Sequence, residues 1–319
     1  MLRIMREPTI PPAFAAQLVA AEGEPGRRWL ARLPGLVRRY CLRWGLEPDG
    51  DPMHGYVGLV LPVRRGGEAA VLKLTWLDTE TRDEPVALAA WRGEGAVRLW
   101  ESDPGEGVLL LERLASGRSL ADVPIERAVA VAGGLLRRLS VPPPPLSRDL
   151  RDDAAGWAEE LTASWDALGR PVPRRLLDAA VAVCRERGPH RANLMVNEDL
   201  HYENVLAGTR EDWLVIDPKP IVADPEFGVI PLLWNRRAES GLSGLSELST
   251  LSERFAAVVG AAGLDADLAR DWTLVRAVVN WLWAVESDVD NVDDFVLAAV
   301  REIAPWAAGP RRVAGRVPW

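Results

Sequence analysis

The stretch from Asn193 to Asp224, NLMVNEDLHYENVLAGTREDWLVIDPKPIVAD, constrains this chain more than any other. The apolar runs Leu194-Met195-Val196, Val205-Leu206 and Trp213-Leu214-Val215-Ile216 alternate with short polar breaks. That alternation predicts strand, loop, strand, turn, strand. The first loop holds an acid and an amide five positions apart, Asp199 and Asn204, and the last strand runs into Asp217. Three oxygen-bearing side chains are thereby expected at one mouth, each at the end of a rigid element.

Such a set suits phosphoryl transfer. Mg²⁺ takes a few hard oxygen ligands and keeps the rest of its shell for phosphates and water. Asn204 and Asp217 would supply two ligands with one added negative charge, so an anionic nucleotide is not repelled. Asp199 is then left to orient an acceptor hydroxyl. Protein kinases divide the work the same way, with D-x-x-x-x-N followed by the Asp of D-F-G. His201 inside the loop either braces it or lines the site, and no His/Cys cluster suggests zinc.

Composition narrows the class. With 319 residues there is room for two lobes, and 48% apolar with 26% charged residues is ordinary for a globular protein. A net charge of −8 argues against a nucleic-acid partner, which needs a basic face. No apolar run approaches a membrane span, and Met1-Leu2-Arg3-Ile4-Met5-Arg6 leads into no signal-peptide core. Cys41 and Cys184 lie far apart in helical patterns and read as buried thiols. A cytoplasmic protein is expected.

The motifs resemble the aminoglycoside phosphotransferase family, small-molecule kinases of the protein-kinase-like fold. They resemble most its streptomycin 6-kinase and hydroxyurea phosphotransferase branch. Ile216-Asp217-Pro218-Lys219-Pro220, Asp224-Pro225 and Pro231-Leu232-Leu233-Trp234-Asn235 carry the likeness, which runs from Pro11-Pro12-Ala13-Phe14 to about Trp283. Where the family usually has H-G-D, this chain has Asn197-Glu198-Asp199. The departure keeps the acid and leaves open how the loop is bonded internally. The implied fold class is α+β and two-lobed: a helical lead-in over 1–50, a small nucleotide-binding β lobe over 51–114, and a large helical lobe over 115–319. The implied cofactors are ATP, with GTP not excluded, and Mg²⁺.

Taken in order, residues 11 to 46 read as one or two helices stopped by Gly45, and 55 to 74 as a hairpin turning at Arg65-Gly66-Gly67. Gly55 and Gly58 open the first arm; they either lie over nucleotide phosphates or mark a strand end and a bulge. Lys73 sits in the apolar Val71-Leu72-Lys73-Leu74, where an unpaired ammonium is costly. The resemblance makes it the ligand of the α- and β-phosphates. The chain has two lysines, Lys73 and Lys219, among abundant arginines. The resemblance also makes Glu84 the partner of Lys73, with Glu80 in reserve, although Pro85 puts Glu84 at a helix entrance. Ala96 to Trp100 and Gly107 to Glu112 read as strands, and Glu112 to Leu114 as the hinge whose backbone meets the adenine edge.

Helices are expected at Ile125–Leu139, Asp152–Leu168, Pro173–Arg187, Phe227–Arg237, Ser246–Ala262, Leu268–Glu286 and Asp293–Ala304, with Val141 to Leu146 a stiff connector. Asp224 reads as a helix cap and Lys219 as a surface lysine that could also touch phosphate. In the resembled family the acceptor lies against the last helices and is often a polycation. Trp283, Glu286 and Asp288 are its candidate contacts here, through cation–π and charge-assisted bonds. The leading expectation is therefore a kinase of a hydroxylated, cationic small molecule. The alternatives are a nucleotide-binding scaffold without turnover, a metabolic kinase of a non-antibiotic compound, or a metal-dependent hydrolase. The last would require a tighter cluster of acids or histidines and no strand lysine.

Overall fold

Turn chemistry places the first elements of the chain, and apolar periodicity places the rest. The computed structural model describes residues 9–236, 250–287 and 293–310. Its elements, in chain order, begin with α1 (Pro12–Trp44), β1 (Leu46–Pro48), β2 (Met53–His54), β3 (Gly58–Arg65), β4 (Glu68–Thr75), α2 (Glu84–Trp91), β5 (Leu99–Asp103) and β6 (Val108–Glu112). They continue with β7 (Ala115–Ser119), α3 (Ile125–Leu139), α4 (Leu150–Ala167), α5 (Arg174–Arg187), β8 (Leu194–Asn197), β9 (Val205–Ala207), β10 (Trp213–Val215) and β11 (Pro220–Ala223). The last helices are α6 (Pro231–Trp234), α7 (Leu251–Ala262), α8 (Ala266–Glu286) and α9 (Asp293–Ala307). The chain divides into two compact units, Met1–Gly117 with Ala207–Lys219, and Arg118–Leu206 with Pro220–Trp319.

In the first unit an antiparallel sheet runs β1-β3-β4-β6-β5, with β2 paired to β3. Gly66 and Gly67, both at positive φ, make the β3–β4 turn that their sequence predicts. Leu59, Leu61 and Val63 on β3 and Ala70, Leu72 and Leu74 on β4 keep period two and are buried on one face. Against them pack Leu33, Leu36, Val37 and Tyr40 of α1, spaced for one helix side. The helix bends at Gly23, which has φ 60 and ψ −134, and ends on Gly45 in the left-handed region. Period two sends Lys73 and Thr75 to the opposite face of β4. The strand expected at Ala96 to Trp100 lies slightly later, because Ala96 bridges to Val215 instead.

The second unit is mainly helical. The buried side of α3 (Ala128, Val129, Ala132, Leu136 and Leu139) follows helical spacing. Gly133 lets α7 come so close that a Cβ there would stand 2.6 Å from that of Ala261. β8 and β11 pair antiparallel, Val196 opposite Ile221, and the proline connector runs beside them, with the Met195 N–H donating to Val141 O at 2.7 Å. Of the single helix expected over Phe227 to Arg237, the last residue of which lies outside the described residues, only short pieces form, a 3-10 turn at Pro225–Gly228 and α6. Pro231 cannot donate to a preceding carbonyl, so it starts a new helix rather than continuing one.

Candidate active site

Lys73 points away from the apolar core and is nonetheless buried. Its Nζ donates to Glu84 Oε1 at 2.7 Å and Oε2 at 2.6 Å, and it also pairs with Asp217 Oδ1. Glu84 is supplied by the first turn of α2, where Pro85 helps to start the helix, so the position flagged as awkward in the sequence is the one that makes the pair. Burial by itself would lower the Lys73 pKa, but the carboxylates of Asp217 and Glu84 outweigh it and hold the ammonium above its ordinary value. Burial pushes the Glu84 carboxyl up to about 7, against the pull of Lys73. Asp217 adopts a left-handed backbone with φ 50, uncommon for a non-glycine residue, and 39% of its side chain is open to solvent.

The glycines border this cluster. The Gly55 N–H donates to Gly58 O at 2.9 Å, and a Cβ on Gly55 would lie 3.7 Å from Asp217 Oδ2. A Cβ on Gly58 would lie 3.6 Å from Lys73 Cε and from the Thr75 hydroxyl. That hydroxyl is buried on the Lys73 face without a hydrogen-bond partner. Lys219 pairs with Glu80 at 2.8 Å, so the reserve partner of Lys73 is taken up by the other lysine. The Glu112 carboxylate is clasped by Arg210 (Nη2 at 2.7 Å), and its backbone N–H donates to Arg98 O. Leu114 lies in the short break between β6 and β7.

In the second unit, β8 delivers the polar loop. Asn197 Oδ1 accepts the Asp199 N–H at 3.1 Å, an Asx turn that supplies the internal bonding left open by the missing H-G. From the other side Asn204 Nδ2 donates to Asp199 O at 3.2 Å. Leu200 and Tyr202 anchor the loop in the core, the Tyr202 hydroxyl donating to Leu232 O at 2.9 Å. His201 is mostly buried, its Nδ1 standing 4.0 Å from Glu203 Oε2 in the same loop and making no hydrogen bond. Glu198, noted in the sequence only as part of the departure from H-G-D, is buried and paired with Arg148. Neither that pairing nor the one between Arg210 and Glu112 had a local signal among so many arginines.

Asp224 does not cap the turn that follows it. Buried, it accepts the Ala192 N–H at 2.6 Å and Trp272 Nε1 at 2.7 Å, tying β11 to α8. Trp283 is 48% exposed near the end of α8, and Glu286 is the last residue of that helix and exposed. Asp288 lies outside the described residues. The structure thus groups Lys73, Glu84, Asp217 and the two glycines in one unit, and Asp199 and Asn204 in the other. Among the described residues there is no group of three or more His, Cys, Asp or Glu that could hold a metal, and no helix is long and apolar enough to cross a membrane.

A family model described as aminoglycoside/hydroxyurea antibiotic resistance kinase matches residues 43–288. The chain is 43% identical over 290 residues to a hydroxyurea phosphotransferase of Kitasatospora aureofaciens, covering 88% of this chain and 80% of that one. It is 38% identical over 301 residues to a streptomycin 6-kinase of Streptomyces griseus, covering 92% and 97%. Among solved structures it resembles an aminoglycoside phosphotransferase in ternary complex with ADP and hygromycin B, with a TM-score of 0.55, 15% identity, and 86% and 99% coverage. That likeness shows the fold, the protein-kinase-like α+β architecture expected from the motifs.

Proposed function

Because the chain belongs to the aminoglycoside/hydroxyurea antibiotic resistance kinase family, we propose that it transfers the γ-phosphoryl group of ATP to a hydroxyl of a small, cationic, streptomycin-type antibiotic. The observation that carries this reading is the buried Lys73, held between Glu84 and Asp217 beside two glycines. A buried ion pair costs desolvation that an apolar strand residue would avoid, and a strand lysine aimed by a helix glutamate is the arrangement that meets nucleotide phosphates in kinases. Glu84 aims the ammonium, while Gly55 and Gly58 leave backbone room for phosphate.

Asp199 orients the acceptor hydroxyl. In a loose phosphoryl-transfer transition state the hydroxyl proton leaves late, so direction matters more than basicity. The rigid backbone bonding of Asp199 supports that role. Asn204 and Asp217 fit Mg²⁺, since an amide oxygen and a carboxylate are the hard donors it takes. When bound, the ion neutralises charge on the phosphates. Exposed Trp283 and Glu286 offer a cation an aromatic face and a carboxylate.

A second reading, phosphorylation of hydroxyurea, is favoured by the 43% identity to a hydroxyurea phosphotransferase. The deciding assay incubates the protein with MgATP, or MgGTP, and streptomycin, hydroxyurea or a neutral aminocyclitol-free sugar. Mass spectrometry then looks for the gain of one phosphate. Streptomycin is expected to gain it fastest. Nucleotide binding with no acceptor phosphorylated would reduce the protein to a scaffold.

A further inference from the structure

Glu198 is a buried carboxylate at the residue immediately before Asp199, and it is gripped from two sides. Its side chain pairs with Arg148, which lies just ahead of α4 and is itself held by Asp153 at 2.8 Å. Burial alone would lower the Arg148 pKa, and Glu198 and Asp153 more than restore it, so that guanidinium stays charged. Arg276, midway along α8, donates through Nη1 to the Glu198 backbone carbonyl at 2.7 Å, and its Nη2 stands 4.0 Å from Glu198 Oε2. Arg276 is fixed in turn by a bond to Phe227 O at 3.2 Å and by stacking over the Phe227 and Trp234 rings at 4.8 and 5.7 Å. The carbonyl it holds belongs to the peptide whose N–H is that of Asp199. That N–H bonds to Asn197, and the next carbonyl accepts from Asn204.

We infer that Glu198, clamped by Arg148 and Arg276, is a positioning residue that fixes the direction of Asp199 and couples it to α8; this rests on the reading of Asp199 as the acid that orients the acceptor. A peptide whose carbonyl, N–H and adjoining side chain are all bonded to different elements cannot rotate without breaking an ionic contact. Such rigidity matters where a misplacement of about 1 Å costs on the order of 10²-fold in rate. A neutral loop would need no arginine pair beneath it. The buried carboxylate is what draws both guanidinium groups to the peptide preceding the acid.

The test compares Glu198→Gln, which keeps shape and removes charge, and Arg276→Lys, which keeps charge and removes the fork, each alone and combined with Asp199→Asn. Activity is read with whichever of streptomycin and hydroxyurea accepts phosphate, and thermal melting is followed in parallel. Each single variant should lower kcat roughly 10-fold or more with the ATP KM within about twofold. In the Asp199→Asn background neither should lower kcat further, because both act through that side chain. Should Glu198→Gln fail to fold, Arg276→Lys carries the same comparison alone. Wild-type kcat in the folded single variants overturns the inference, as does the same loss in the Asp199→Asn background. Full activity of Asp199→Asn itself would overturn the underlying reading, and this inference with it.

Discussion

The two groups of candidate residues are held in place by opposite means. Lys73, Glu84 and Asp217 are fixed by their own charged side chains, Lys73 and Glu84 buried and Asp217 partly open to solvent. Asp199 is fixed through its backbone, by amide side chains on either side and an arginine on the preceding carbonyl. The first arrangement sets charge against charge in a buried place, so exchanging a member disturbs its partners. The second controls direction, and leaves the chemistry of the acid separate from the devices that aim it. Substitutions in the first group should therefore disturb stability and nucleotide binding together, and those in the second should disturb turnover alone.

The sharpest contrast comes from Asp199→Asn. Turnover should fall roughly 10²- to 10⁴-fold, the scale of a residue that handles the reacting proton, with nucleotide affinity and melting temperature almost unchanged. Wild-type turnover in a correctly folded variant would remove Asp199 from the reaction. Lys73→Ala breaks the comparison from the other side. It leaves the buried Glu84 without its partner, so a loss of stability should accompany a rise in the ATP KM. Denaturant titration would detect the first effect and initial-rate kinetics the second. A variant as stable as wild type would show that the pair is not compensating a buried charge. Asn204→Ala should be milder than Asp217→Ala, since it removes an uncharged donor, and raised Mg²⁺ or Mn²⁺ should partly restore its activity.

Much of this was legible in the sequence because its signals are local. Period two in Leu59, Leu61 and Val63, glycines at the hairpin turn, and helical spacing in Leu33, Leu36 and Val37 each report on neighbours in the chain. Lys73 stood out because an ammonium in an apolar strand demands a partner, and Glu84 was found where the helix entrance placed it. What escaped was non-local. Asp224 precedes a proline as a cap would, yet it bonds to Ala192 and Trp272, residues distant in sequence. Arg148, Arg210 and Arg276 could not be told from other arginines until the fold set them against Glu198 and Glu112. The helix expected after Phe227 failed because a proline at its fifth position outweighed its apolar pattern.

The charged group should also reveal itself through pH. The Glu84 carboxyl ionises at about 7 in the folded protein and near 4.5 in the reference state. Between those values the folded state keeps a proton that the unfolded chain has released. Stability from this group is thus full below about 4.5 and is lost as the pH rises through about 7. Glu84→Gln removes the titration. The melting temperature of wild type, relative to that variant, should decline across this window. A flat difference would mean that Glu84 is ionised throughout, with Lys73 and not burial dominating.

The smallest effect is expected at the exposed end of α8. Glu286 ends α8, and a carboxylate at a helix carboxyl end is mildly unfavourable, so helix stability does not explain its presence. Being exposed, it offers little to the fold, and the proposed function gives it a guanidinium or ammonium group of the acceptor to bond. Such a contact is partly screened by solvent and salt. Glu286→Gln should accordingly raise the KM for streptomycin a few-fold, roughly 1 kcal/mol or less, while kcat and the ATP KM stay put. Added salt should weaken streptomycin in wild type and close the gap to the variant. Trp283→Leu should act in the same direction through the lost aromatic face. If both variants match wild type, and hydroxyurea or another neutral compound is the better acceptor, the end of α8 is solvated surface and the cationic acceptor is the wrong one.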